Sequence, residues 1–430
     1  MNILKNMEQS LSDIWHVFSL EMRRIFTDSG VILVFFVAGL VYPFLFNLIY
    51  QQETVLNVPV AIVDDAQCDE SKRFARKLDA TPEMEVTYRC STMAEAESLM
   101  RQRRINGIIY FPRDYGERLA RLEQATVAIY SDMSSFLYYK SVLTGSNMVM
   151  LDEMKQIQFK RYSMKGITGE RAAELVSPVP YDDVKLFMPG GGFTSFLIPA
   201  LLILVIHQTL FFGIGMLGGT AREDKLEIEL IPEHLRGRSV HRVIIGRALA
   251  YYVVYAGIVA IDLFLVPYLF RLPQVGRVSD MLLFLQPFMF AAIFFAMTFA
   301  SLLKHRESGI LTMVFFSIIL LFLSGMAWPR SNIPVVWRVL SYLFPSTHGI
   351  QGFIRISTLG ATLQEVRVEY IGLCLQTVFY FITATWAQRY INRYRPIEER
   401  MAERRDHIMQ RLADRRTARQ SMNRTSVLKK

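Results

Sequence analysis

The chain has 430 residues, 52% of them hydrophobic, with a formal charge of +9 and a mean hydropathy of +0.24. Three cysteines exclude a scaffold built on disulfides. The apolar residues fall in long runs, which places the chain in a membrane, and charged stretches between and after those runs lower the mean hydropathy.

Residues 1–29 carry Leu11, Ile14, Trp15, Phe18, Met22, Ile25 and Phe26 at helical spacing, while Asp13, His16, Arg23 and Arg24 fall largely on the other face. This pattern predicts an amphipathic helix in the cytoplasmic membrane interface, with a soluble helix packed on a cytoplasmic partner as the other reading. No cleavable signal peptide is expected, because the first apolar run, 30–50, is long enough to remain as a helix. A hydrocarbon core needs about 20 apolar residues per helix. By that measure five further spans follow a soluble insert, at 193–218, 248–270, 281–303, 308–328 and 368–390. No charge occurs between Lys185 and Arg222, between Asp280 and Lys304, or between Glu307 and Arg330.

The insert, residues 51–192, alternates strand and helix patterns. Val58–Val63, Met84–Tyr88, Ile105–Phe111 and Val127–Tyr130 read as strands. Glu70–Leu78, the Met93/Ala96/Met100 series and the Tyr115/Leu119/Leu122 series read as helices, and a long helical region runs from Phe136 to about Leu175. Such alternation predicts an α/β domain with a largely parallel sheet. Asp64 and Asp65 close the first strand, either as a turn or as a ligand site. Cys68 and Cys90 each follow a strand, which leaves open a disulfide between them. Cys374, in the last span, reads as a packing residue. Pro189 and the glycines after it form a joint ahead of the second span.

Lys and Arg in short loops set orientation. Lys5, Arg23, Arg24, Arg222, Lys225, Arg236, Arg238, Arg242, Arg247, Lys304, Arg306 and the Arg-rich tail 391–430 share one side. Arg271, Arg277, Arg330, Arg338, Arg355 and Arg367 share the other. The first side predominates, so both termini are expected in the cytoplasm and the insert outside. The tail suits anionic lipid, or a frayed solvated helix.

Two polar groups stand inside the spans. Asp262 would face a cavity and a cationic substrate, or pair with Arg271. His207, with Gln208 and Thr209, is expected to make a helix–helix hydrogen bond or to line the pathway. There is no G-x-x-x-x-G-K-S/T loop, no H-E-x-x-H, and no Cys/His set with zinc spacing, so no metal site is expected. Ser346, Thr347 and His348 are adjacent and do not face one another as a nucleophile and base would. No catalytic set is apparent, and the chain does not read as an enzyme.

Between the fifth and sixth spans the chain reads LFLSGMAWPRSNIPVVWRVLSYLFPSTHGIQGFIRI. Ser324 and Gly325 end an apolar helix, and Pro329, Pro334 and Pro345 break the pieces that follow, which are too short to cross. Irregular backbone at membrane depth is tolerated only under protein or beside water. Residues 329–366 are therefore expected to dip in from the outer face as a re-entrant segment, with Trp328 and Trp337 near the interface.

This pattern resembles the permease subunits of ABC-2 type transporters, where S-G-x-x-x-P, further prolines and a downstream Arg mark the outer gate. Ser324, Gly325, Pro329, Pro334, Pro345 and Arg355 match it. The layout is similar to the exporter branch with a large external domain after the first helix. The resemblance implies a polytopic α-helical membrane protein with six transmembrane helices, an inserted extracytoplasmic α/β domain and an N-terminal interfacial helix. In that family a cytoplasmic loop couples to the ATPase. In the loop 222–247, Arg222, Glu223, Leu226, Glu227 and Leu230 match loosely, Gly246 and Arg247 stand for a G-K pair, the expected T-P is absent and Pro232 is displaced from it.

The resemblance further implies an ATP-driven exporter in a bacterial inner membrane. ATP and Mg would sit on a separate ATPase subunit, with no cofactor in this chain. Expected partners are that ATPase, a second permease copy or paralogue, a periplasmic adaptor and membrane lipids, with no nucleic acid. The Met- and Phe-rich spans suit an amphiphilic or drug-like substrate, though such residues also face lipid. The competing reading is a membrane-anchored receptor or assembly scaffold whose external domain binds a partner without transport.

Overall fold

In the computed structural model, described residues run from 2 to 392, apart from 53, 180–183, 185, 188–191, 224–234, 236–238 and 304. The tail beyond 392 and the loop residues Leu226, Glu227 and Leu230 lie outside them. The chain divides into two compact units, Gln52–Thr194 and the remainder.

The Gln52–Thr194 unit is built on a four-stranded sheet in the order β2-β1-β3-β4. Its strands are β1 (Val58–Asp64), β2 (Met84–Cys90), β3 (Gly107–Phe111) and β4 (Ala128–Ser131). β1 pairs parallel with β2 and β3, while β4 runs antiparallel to β3, with Ile109 opposite Ile129. β1 is the centre and is covered on both faces, which is why its residues are apolar without strict alternation. Val58, Val60 and Ile62 face Phe74, Leu78, Tyr115 and Val149, while Ala61 and Val63 face Ala96, Ile105 and Ile108.

The unit's helices obey local signals. With α1 reserved for the N-terminal helix, they are α2 (Asp69–Asp79), α3 (Met93–Arg101), α4 (Tyr115–Ala120), α5 (Phe136–Met164) and α6 (Glu170–Val176). Thr92 caps α3 by accepting the Glu95 N–H, and the Glu95 carboxylate reaches back to the Ser91 N–H. Asp64 is a turn residue: it accepts the Gln67 N–H at 2.9 Å and the Ser71 hydroxyl at 2.7 Å. Asp65 accepts the Tyr110 hydroxyl at 3.1 Å. Cys68 and Cys90 are free thiols. The first packs with the Phe74 face and the second with the Ala61 face, so the disulfide left open by the sequence has the sheet between its two ends.

α5 is tied to α2 by charge. Buried Glu153 accepts Arg73 and, at 2.7 Å, Lys77, which also reaches Asp152 at 2.8 Å. Burial pushes the Glu153 carboxyl up, but the two cations hold it below the usual carboxylate range.

The other unit holds α1 (Asn2–Thr27) and six helices long and apolar enough to cross a membrane. They are Ser29–Ile49, Thr194–Glu223, Val240–Leu269, Val278–Ala300, Arg306–Leu323 and Arg367–Asn392, called the first to sixth spans below. The second and fourth form the centre, 72% and 67% buried, whereas the first, fifth and sixth are only 22%, 18% and 22% buried and carry apolar residues outward. Prolines shape two of them. Pro267 cannot donate to the Leu263 carbonyl; the helix opens to a wider turn over Ile261–Leu265, and Gln274 Nε2 donates to that carbonyl at 2.8 Å instead. A similar wide stretch, Leu33–Val41, precedes Pro43.

The third span begins at Val240 rather than near 248. Its first turns carry Arg242 and Arg247, which charge-free scanning reads as loop. Both arginines pair with α1 and so stay inside the helix.

After the fifth span come α7 (Val335–Ser341), largely exposed, and α8 (Pro345–Ser357), largely buried. Gly349 and Gly352 let α8 press on the rings of Phe288 and Phe284 of the fourth span, leaving no room for a Cβ.

Replacing Glu153 with Gln should loosen α5 from the sheet. Because Arg73 and Lys77 are partly in water, the expected loss is about 2 kcal/mol, below the cost of breaking a fully buried pair. Faster amide exchange along α5 and α2 in the full-length protein, with the spans unaffected, is the result that checks it.

Candidate functional site

α1 buries Val17, Glu21 and Ile25, which are four residues apart and so share a face. A carboxylate on an apolar face must be partnered. Glu21, 2% exposed, accepts Arg24 at 3.0 Å and the Tyr251 hydroxyl, and lies 3.6 Å from Arg247. Arg24 also donates to the Leu217 carbonyl at 2.9 Å. Asp13 accepts Arg242 at 2.8 Å. Burial pushes the Glu21 carboxyl up, but Arg24, Arg247 and Tyr251 hold it below its ordinary range.

Asp28 performs two tasks. It caps the first span by accepting the Gly30 and Val31 N–H groups at 3.0 and 3.1 Å. It also takes both Arg306 guanidinium nitrogens, at 2.5 and 2.6 Å, and that hydrogen bonding holds its carboxyl low. Arg306 continues to the Thr220 hydroxyl at 2.8 Å. Arg222 donates to the Ala300 and Leu303 carbonyls. Arg247 reaches Gln388 at 3.4 Å. Charged contacts thus link α1 and Asp28 to the second, third and fifth spans and, through Arg247, to the sixth, while Arg222 ties the second span to the end of the fourth. A cavity of about 30 Å³ between Glu21, Arg24, Arg222, Arg247, Tyr251 and Gln388 has room for a water.

Of the residues matched to a coupling loop, Arg222 and Arg247 point into this network, and Gly246 lies against the Ile14 backbone of α1, where a Cβ would approach a carbonyl at 2.8 Å. Glu223 accepts the Arg306 N–H at 3.4 Å. Glu21, Asp28, Tyr251 and Gln388 were not singled out in the sequence, and Asp13 and Arg306 were read only as a polar-face residue and an orienting charge. The i, i+4 series Val17-Glu21-Ile25 and the Asp28-Ser29 helix start were the available signals.

A second cluster lies at residues 324–369. Gly325 has φ +82°, a left-handed turn that ends the fifth span beside Gln351 and Arg330. The Ser324 hydroxyl accepts the Met326 N–H at 3.2 Å, and its carbonyl accepts Gln351 at 2.9 Å. Pro329 and Pro334 precede short helices and Pro345 opens α8. Arg330 lies 4.7 Å over the Tyr342 ring, which stacks on His348 at 5.3 Å. Arg355 pairs with Glu369 at 3.1 Å and donates to the Glu365 carbonyl at 2.8 Å.

Two of the contacts expected of polar groups within the spans are not made. Among the described residues neither Asp262 oxygen has a hydrogen-bond partner, and no ion pair joins it to Arg271. His207 packs against Phe295 with both ring nitrogens unpartnered, so the helix–helix hydrogen bond is not made there. Thr209 instead returns its hydroxyl to the Val205 carbonyl at 2.8 Å. Ser346 and Thr347 are buried in the first turn of α8, and His348 is held by its stack on Tyr342. No group of metal-ligating side chains occurs among the described residues.

The sequence matches the model of a family described as ABC-2 family transporter protein over residues 29–386. None of the curated proteins matches it.

Glu21→Gln leaves Arg24 and Arg247 facing a neutral group and should cost about 3 kcal/mol, whereas Glu8→Gln, on an exposed position of the same helix, should cost almost nothing. Because the Glu21 and Asp28 carboxyls are held low, their contribution is complete at neutral pH. It is lost as pH falls below the ordinary carboxylate range, about 4, toward their lowered values. Thermal unfolding of the purified protein across pH 3–7 should show that acid limb in the wild type and a shallower one in Glu21→Gln.

Proposed function

The chain belongs to the ABC-2 transporter family and is a multi-pass membrane transport component, and on that premise we propose that it is the permease subunit of an ABC exporter driven by a separate ATPase chain. The observation that supports this most is the network around Glu21 and Asp28. It joins α1 to the ends of the spans at the same end from which the loop after Glu223 departs.

In this reading that end is cytoplasmic, in a bacterial inner membrane, and the α/β unit lies outside. The loop 222–247 and α1 receive the ATPase. Closure of the ATPase pair on ATP moves the loop, and the buried ion pairs transmit the movement because separating them costs more than moving the helices as a body. The turn at Gly325 and the Arg355–Glu369 pair are then the outer gate. A second permease copy or paralogue covers the outward apolar faces of the first and fifth spans, and the α/β unit shields the exit or docks a periplasmic adaptor. The substrate class suited to Phe- and Met-rich walls is an amphiphile. Asp262 and His207 are candidate pathway groups.

Purification in mild detergent from the native cells should bring down a P-loop ATPase. In the recovered complex, Glu223→Ala, Glu227→Ala and Leu230→Ala combined should uncouple ATP hydrolysis from transport while leaving the permease folded. Recovery of the chain without any ATPase, under conditions that preserve known transporters, would favour the receptor or scaffold reading. A triple variant with intact coupling would remove the loop from the mechanism.

A further inference from the structure

The α/β unit contains a cavity of about 490 Å³ between α2, α4 and the second half of α5. That size falls within the range of small-ligand sites, roughly 300–1,000 Å³. Cys68, Leu119, Leu122, Ile157 and Met164 give it an apolar stretch, and Gln156 and charged side chains complete the lining. At one end Arg73 is occupied by Glu153, with Glu70 beside it. About 11 Å along α5, two helical turns on, stand Lys160 and Arg161, and there the charge is not balanced. No ion pair reaches either residue among the described residues. Arg161 has only the Glu123 carbonyl, at 3.4 Å, and its Nε is buried without a partner. The residues three and four positions away on α5 include no acid.

Leu122 is the left-handed residue, φ +64°, that caps the end of α4: its N–H donates to the Leu119 carbonyl at 3.1 Å and the Glu123 N–H to the Arg118 carbonyl at 2.9 Å. That cap sets its side chain, 51% exposed, on the rim of the cavity, where an apolar occupant would cover it.

We propose that this cavity binds a small anionic amphiphile, its carboxylate or sulfate head between Lys160 and Arg161 and its apolar body along Leu119, Leu122 and Ile157. The inference concerns the α/β unit alone and stands or falls independently of export.

Cys68 lines the wall, so its reactivity reports occupancy. In the full-length protein in lipid nanodiscs, with Cys90→Ser and Cys374→Ser in place, maleimide labelling of Cys68 is timed with octanoate, octyl sulfate or octanol. Saturation transfer to the same probes is recorded in parallel, which covers the case of an unreactive thiol. Both anions should slow labelling and receive saturation; octanol should do neither at equal concentration. Lys160→Gln with Arg161→Gln should raise the protecting concentration about tenfold, each protein being compared with its own unprotected rate. The proposal is overturned by absent protection together with absent saturation transfer, by equal protection from octanol, or by full protection in the double variant.

Discussion

Keeping Glu21 ionised while buried is the constraint around which the membrane unit is organised. A buried carboxylate is tolerated only if cations and donors surround it. Here they come from α1 itself, through Arg24, and from the third span, through Arg247 and Tyr251. Satisfying one anion therefore fixes the crossing of α1 over the third span. Gly246 permits the close approach, and Arg242 with Asp13 fixes its other end. Asp28 repeats the logic two turns later and brings in the fifth span through Arg306. A hydrophobic interface could hold the same helices with equal energy, but it would allow them to slide; paired charges fix register.

The two units solve the same problem differently. The α/β unit relies on a central strand covered on both faces, with Glu153 as one charged tie between helix layers. The membrane unit has no comparable hydrophobic gain between helices, since lipid tails are as apolar as Leu. Its centre instead uses close ring packing, such as Phe295 against Tyr380 and Phe344, and glycines where α8 meets the fourth span.

Much of this was legible in the chain. Uncharged stretches mark the spans, and short apolar runs between turn and helix signals mark β1 to β4, because both signals are local. The direction of β4 was not legible, since strand pattern carries no sense of direction. The start of the third span was missed for a physical reason. Arg242 and Arg247 are charges inside a helix that are neutralised by residues 229 and 226 positions earlier. Hydropathy counts the arginines and cannot see Asp13 and Glu21. The prolines of 329–345 were visible as breaks, but the burial of α8 depends on Gly349 and Gly352 meeting Phe288 and Phe284, a contact without a local signature.

At Pro267 the third span gives up one rung of its ladder, and Gln274, from beyond the helix, takes the orphaned carbonyl. Bending there breaks no backbone bond, because the bond is already carried by a side chain that can follow. One end of this helix is bolted to α1 through Arg242 and Arg247. Beyond the other, Val275 and Gly276 donate to the Ser357 carbonyl at the end of α8, at 2.8 and 3.2 Å. The third span is in mechanical terms a connecting rod with a joint near one end: push and pull pass along its axis, while sideways swing at α8 is not forced back upon α1.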